Sequence, residues 1–203
     1  MLEALLIGLT RLFTGVVARS QGAQFDSLQQ TIYYANHTSH LDALVIWSVL
    51  PRSHRRHTRA AAAHDYWWRS ACRRYLAEKI FHAVPVMRQC TPGTDPLQSL
   101  RTALADGDSM IFFPEGTRGT GGNIQPFRKG LYHLALARPQ AQLVPVYIDN
   151  LNRVLPKGEF LPVPIICSLT FGPALMLAVG ENRDAFLLRA QTALEALAHH
   201  AAA

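Results

Sequence analysis

The fold turns on residues 31–45, Thr31-Ile32-Tyr33-Tyr34-Ala35-Asn36-His37-Thr38-Ser39-His40-Leu41-Asp42-Ala43-Leu44-Val45. The first five are β-branched, aromatic or small, with no polar alternation, which is the composition of a strand buried on both faces. The polar run Asn36–Asp42 ends it abruptly, and Leu41, Leu44 and Val45 then return at helical spacing. A buried strand running straight into a helix opens a β–α unit. Two histidines and an aspartate stand at the junction, where a turn would need no more than a cap.

The same alternation continues along the chain. Strands are predicted at Thr31–Ala35, Arg59–Ala63, Val84–Met87, Ser109–Phe113, Gln142–Ile148 and Ile165–Phe171. Helices are predicted at His40–Leu50, from Asp65 to about His82 with a break, after Asp95-Pro96, at Gln125–Arg138 and from Asn182 to about Ala198. Pro51–Thr58, Arg88–Thr94, Pro114–Asn123 and Asn150–Pro164 have loop composition. With no internal repeat and no interdomain linker, the expectation is a single α/β domain: a mixed, mostly parallel sheet with helices packed on it, over residues 21–203. An apolar N-terminal helix precedes it over residues 1–20. Leu2, Leu5, Leu6, Leu9, Leu12, Phe13, Val16 and Val17 recur there at helical spacing, interrupted by Glu3, Thr10, Arg11 and Thr14. The uninterrupted runs are too short to span a bilayer. The segment either lies flat in a membrane interface or docks on its own domain.

Of the 203 residues, 49 % are hydrophobic and 17 % charged, which excludes disordered and fibrous classes. Lys and Arg outnumber Asp and Glu by 20 to 14, a balance suited to nucleic acid, an anionic membrane surface or an acidic substrate or carrier. Arg52, Arg55, Arg56, Arg59, Arg69, Arg73, Arg74, Lys79 and Arg88 concentrate the positive charge, opposed there only by Asp65 and Glu78, with Trp67 and Trp68 among them. Cys72, Cys90 and Cys167 have no CxxC spacing, so reduced thiols are expected rather than disulfides or structural zinc.

Around the first junction three readings remain open. His37 in the loop and Asp42 in the first helical turn can converge as an acid–base pair. Ser39 and Asp42 also fit a capping box, and His37, His40 and Asp42 have metal-ligand chemistry. Thr38 and Ser39 are poor nucleophiles, since a Ser–His hydrogen bond normally joins positions distant in sequence. A second candidate follows the strand at Ser109–Phe113. In Pro114-Glu115-Gly116-Thr117-Arg118-Gly119 the glycines permit close backbone approach to an anion, and Arg118 offers a fork for phosphate. Phe127-Arg128-Lys129-Gly130 adds two cations just downstream. The Walker spacing is absent, which disfavours nucleotide hydrolysis.

Taken together and in order, these blocks resemble the glycerolipid acyltransferase family, the lysophosphatidate (1-acylglycerol-3-phosphate) acyltransferases and their relatives. Asn36-His37-Thr38-Ser39-His40-Leu41-Asp42 matches the family's N-H-x-x-x-x-D block, and Phe113-Pro114-Glu115-Gly116-Thr117-Arg118 its F-P-E-G-T-R block. Phe127-Arg128-Lys129-Gly130 and Val144-Pro145-Val146-Tyr147-Ile148 look like later blocks. Two departures stand out. Val84-Pro85-Val86-Met87-Arg88 keeps only the arginine of the usual Asp-Arg ending, and many relatives carry a longer hydrophobic N-terminal part.

The resemblance implies transfer of a fatty acyl group from acyl-CoA or an acyl carrier protein to a lysophospholipid hydroxyl, at the cytoplasmic face of a membrane, peripherally or monotopically attached. The donor is a co-substrate, and no cofactor or metal is implied. His37 is implied as the base and Asp42 as its orienting partner. Glu115, Gly116, Thr117 and Arg118, with Arg88 and Lys129, are implied at the substrate phosphate. Glu115 is expected to touch a hydroxyl or to brace Arg118. An anionic-lipid-binding protein without catalysis, a nucleic-acid-binding domain and a metal-dependent hydrolase are the rivals.

Overall fold

A computed structural model describes residues 2–25, 29–80, 82–87, 94–119, 123–151 and 166–201. Seven strands form one sheet: β1 (Val17–Ser20), β2 (Thr31–Ala35), β3 (Thr58–Ala63), β4 (Val84–Val86), β5 (Ser109–Phe112), β6 (Gln142–Asp149) and β7 (Ser168–Phe171). Their order is β1-β7-β6-β2-β5-β3-β4. The block from β6 to β4 is parallel, while β7 runs antiparallel to β6 and carries β1 parallel to itself. This is the mixed, mostly parallel α/β sheet expected.

Alternation along β2 divides the core in two. Ile32 and Tyr34 face one side, among Leu100, Leu104, Met110, Leu131, Leu134, Phe186 and Leu194. That side is covered by α6 (Gln98–Ala105), α7 (Gly130–Ala137) and α8 (Arg183–Ala201). Tyr33 and Ala35 face the other, among Val45, Ile46, Trp47, Ile111, Val146, Leu169 and Phe171. There α2 (Asp42–Val49) lies on the sheet and α1 (Leu2–Thr14) on α2. Being covered on both sides, α2 is apolar nearly all round instead of amphipathic. Both core tyrosines find polar partners: Tyr34 Oη donates to the Ala190 carbonyl at 3.1 Å, and Tyr33 Oη lies 3.2 Å from His54 Nδ1.

Pro145 sits inside a strand flanked on both sides, a place where a missing N–H would normally break a ladder. Here the neighbouring chain is interrupted. Gly172 donates to the Pro145 carbonyl and Leu175 pairs with Leu143, so the ladder skips the position at which the proline would have had to donate.

Several boundaries differ from expectation, most of them for a local reason. The helix expected over residues 1–20 ends at Thr14, because Gly15 takes φ +54 and its N–H closes on the Arg11 carbonyl. Val17–Ser20 is instead the edge strand, exposed along its whole length and therefore without a burial pattern to read. Arg52–Arg56, read as loop, is the short α3. The Asp65–His82 helix breaks as expected, into α4 (His64–Trp67), α5 (Ala71–Tyr75) and a π-helical turn, Leu76–Ile80. Asp95 accepts the Leu97 N–H, as a cap would, but α6 starts only at Gln98. The expected Gln125–Arg138 helix begins at Gly130, since the N–H groups of Gln125 and Arg128 bond to Glu115 and Pro114.

Candidate active site

Parallel pairing of β2 with β5 matches Ile32 to Met110 and Tyr34 to Phe112. The two sequence blocks, far apart in the chain, thus leave neighbouring strands at the same end, the carboxyl end at which open α/β sheets bind ligands. Asn36 secures the first block. Its side-chain amide donates to the Ile148 carbonyl at 2.9 Å and accepts the Ile148 N–H at 2.8 Å, extending the β2–β6 ladder by one rung.

His37 Nδ1 lies 2.7 Å from Asp42 Oδ2. Asp42 is fully buried, while the His37 side chain keeps 17 % exposure. The same Oδ2 accepts the N–H groups of Thr38 (2.6 Å) and Ser39 (2.9 Å). One oxygen therefore serves two ends, since the carboxylate that ties back the turn also holds the imidazole. The capping box is not formed as expected, because Leu41, not Ser39, is the N-cap of α2 and makes no side-chain cap bond. A buried carboxylate fixes the Nδ1–H tautomer and leaves Nε2 as the acceptor. The ring is further fixed by stacking on Phe113, with centroids 4.2 Å apart and planes at 19°. His40 is not part of this pair. It stacks on Tyr66 at 4.5 Å, and burial, reinforced by the charges of Arg118, His37 and Arg73, lowers its pKa to about 4. Among the described residues no three His, Cys, Asp or Glu side chains are arranged to hold a metal ion.

Glu115 is placed differently from expectation. Its carboxylate is buried and turns toward the backbone, accepting the His37 N–H at 2.9 Å and the Gln125 N–H at 3.3 Å. It braces the histidine loop, where a brace on Arg118 was the expectation. Burial raises its pKa, an effect the two N–H bonds partly oppose. Gly119 completes the tie, donating to the His37 carbonyl at 2.8 Å.

His37 opens onto a cavity of ≈ 720 Å³. One wall is cationic and includes Arg118, Arg128 and Lys129 beside Gly116 and Thr117; another is apolar and includes Leu44, Trp47, Ala60–Ala63, Val86 and Phe112. Gly116, Thr117, Arg118 and Lys129 are thus brought to the histidine, and Arg88 lies outside the described residues. Sequence reasoning passed over Arg128, which lies across Gly116. A Cβ built on that glycine would stand 2.9 Å from Arg128 Cδ. Gly116 also has φ +73, a conformation that favours glycine. The signal was there in the Phe127-Arg128-Lys129-Gly130 block, but spacing does not say that Arg128 packs across Gly116 while Lys129 lines the same cavity. Cys167 takes no part: it is buried, its thiol pushed up to about 12 by burial and then by the Asp42 and Asp149 charges.

A buried carboxylate–imidazole pair and a cationic glycine turn meet at the same strand ends of an α/β scaffold, an arrangement chemically equipped for general acid–base work beside an anion. The chain belongs to the acyltransferase family, whose sequence profile matches residues 19–149. It is 29 % identical over 164 residues to a 1-acyl-sn-glycerol-3-phosphate acyltransferase of Limnanthes douglasii, covering 78 % of this chain and 55 % of that protein. It is 31 % identical over 151 residues to the human 1-acyl-sn-glycerol-3-phosphate acyltransferase alpha, covering 71 % and 50 %. The chain spans about half the length of these relatives. The crystal structure of the 1-acyl-sn-glycerophosphate (LPA) acyltransferase PlsC from Thermotoga maritima superposes with a TM-score of 0.76 over 98 % of this chain and 80 % of that one. At 16 % identity this likeness speaks for the fold.

Proposed function

We propose that the protein transfers a fatty acyl group from a thioester, acyl-CoA or acyl carrier protein, to the free hydroxyl of 1-acylglycerol 3-phosphate. The observation that carries this reading is the His37–Asp42 pair opening on the same cavity as Arg118, Arg128 and Lys129. An alkyl hydroxyl is a weak nucleophile at neutral pH. His37 Nε2 takes its proton as the oxygen attacks the thioester carbonyl, a contribution of ~10²–10⁴-fold for a positioned base. The imidazolium, stabilised by Asp42, returns the proton to the thiolate as the C–S bond breaks. The thioester is already activated, so no acyl-enzyme is required. The cationic wall holds the acceptor's phosphate with its hydroxyl toward His37. The acyl chain lies against the apolar wall, where β3 presents alanines and so leaves room.

The same reading places the protein on the cytoplasmic face of a membrane, peripherally attached. Among the described residues no helix is long and apolar enough to cross a bilayer. On α1, however, Leu5, Leu9, Leu12 and Phe13 are exposed along one side, while Thr10 and Thr14 are buried toward the domain. Such a face suits insertion among lipid headgroups.

The test follows free thiol released from palmitoyl-CoA with and without lysophosphatidate, beside His37→Ala. Release that needs the acceptor and is lost in the variant supports the transferase and its base. Release without acceptor would point to a thioesterase.

A further inference from the structure

The basic region of the sequence is divided by the fold. Arg55 pairs with Glu3 and lies over Trp47, and Arg59 pairs with Asp108. Arg52 and Arg56 are exposed on α3, before β3. Arg69, Arg73, Arg74 and Lys79 are exposed on the excursion His64–Ile80, after it. The six residues of β3 put about 20 Å between these groups. Only the second group stands at the strand end where the cavity opens, and Tyr66 and Arg69 line that cavity.

Aromatic rings are interleaved with these cations. The Arg73 guanidinium sits 4.5 Å from the Tyr66 centroid, with His40 stacked on the same ring. Trp68 stacks on His64 with planes at 10°, and Tyr75 is exposed. Guanidinium groups bind phosphate, and flat exposed rings accept a nucleobase. A carrier protein would instead engage a broad interface, ~800 Å² on each partner, whereas a phosphorylated nucleoside needs only a compact set of cations and a ring.

We propose that the excursion His64–Ile80 binds the phosphorylated adenosine end of coenzyme A, with Arg69, Arg73 and Arg74 on the phosphates and an aromatic ring under the base. This rests on the transferase reading and deepens it: the thioester donor is the coenzyme A form. The donor's anionic end then engages cations of the excursion and the acceptor's phosphate those of the Arg118–Arg128 wall, two groups that meet at the cavity onto which His37 opens.

Binding of unacylated coenzyme A tests this without requiring turnover. Titrating the full chain calorimetrically, the expected result is saturable binding, displaced by adenosine 3′,5′-bisphosphate. The Arg69→Glu/Arg74→Glu variant should weaken it roughly tenfold or more, the scale of losing hydrogen bonds to charged groups. Arg52→Glu carries the same kind of charge reversal at the far end of β3 and should bind as the wild type does. Equal weakening by Arg52→Glu would reduce the effect to net charge and overturn the site. So would undiminished binding by the double variant, no saturable binding by the wild type, or binding of an acyl carrier protein in place of coenzyme A. Intact coenzyme A binding without acyl transfer would instead count against the proposed reaction and leave the subsite standing.

Discussion

Glu115 Oε1 accepts the backbone N–H of His37 at 2.9 Å, so the second sequence block holds the first by its main chain. Glu115→Ala should therefore lose kcat with little change in KM for lysophosphatidate, and about 2 kcal/mol of stability for two part-buried bonds to a carboxylate. Glu115→Gln keeps one acceptor and should lose about half as much. The pH dependence has a definite sign. Burial raises the Glu115 carboxyl above its usual range, so its contribution to folding is full below the ordinary pKa and falls as pH rises through the raised one. The stability deficit of Glu115→Gln should accordingly shrink as pH rises from below the ordinary carboxyl range through the raised one; urea titrations showing a deficit that grows with pH would contradict this.

Asp42 and His37 can be separated by comparing stability with rate. Each alanine variant should reduce kcat ~10²–10⁴-fold, and the double variant should be scarcely slower than either single one, because the two act as a unit. Only Asp42→Ala releases the Thr38 and Ser39 N–H groups as well, so it alone should cost ~2–3 kcal/mol of stability. Comparable unfolding midpoints for the two single variants would refute the shared oxygen.

Gly116→Ala joins a strained φ of +73 to a collision with Arg128. It should cost ~1–2 kcal/mol and raise KM for the phosphorylated acceptor, leaving kcat with saturating acceptor largely intact. Arg128→Ala should reproduce the KM effect without the loss of stability. A matched change in KM for palmitoyl-CoA would show that Arg128 serves the donor instead.

The exposed side of α1 should govern attachment and not chemistry. Leu9→Asp/Leu12→Asp should weaken binding to vesicles containing anionic lipid by about tenfold or more, given ~1.5–3 kcal/mol for each buried leucine. Turnover of a short-chain, freely dissolved acceptor should be unchanged. Cosedimentation with vesicles reads the first and thiol release the second.

Ala61 lies on β3 and lines the cavity. Ala61→Leu should fill part of the apolar wall, reducing kcat/KM for palmitoyl-CoA roughly tenfold or more relative to decanoyl-CoA, since each excluded methylene is worth ~0.8 kcal/mol. Equal loss with both donors would place the acyl chain elsewhere.

The sheet was legible because its inner strands carry a simple signal. Thr31–Ala35 and Ser109–Phe112 are buried at every position, and their residues are apolar or small accordingly. Val17–Ser20 was not legible, because an exposed edge strand is held by main-chain bonds to β7 that leave no mark on side-chain choice. Motif spacing brought out His37, Asp42 and Arg118. It could not say that one oxygen of Asp42 serves both turn and imidazole, nor that Glu115 reaches a backbone amide, since main-chain groups belong to every residue type alike. The packing of Arg128 across Gly116 depends on the close approach of two turns distant in sequence, which residue spacing does not record.

The tie between Glu115 and His37 joins residues 78 positions apart in the chain, yet it is made across a single step between adjacent strands. The length of the intervening chain is therefore no part of the geometry. Segments between β3 and β5 can lengthen, shorten or admit a whole inserted module without moving the imidazole, provided that the ladder survives. Diversification of acceptors and attachment modes can proceed in those connections while the reacting groups keep their place, and a permuted chain opened within one of them should retain the same site.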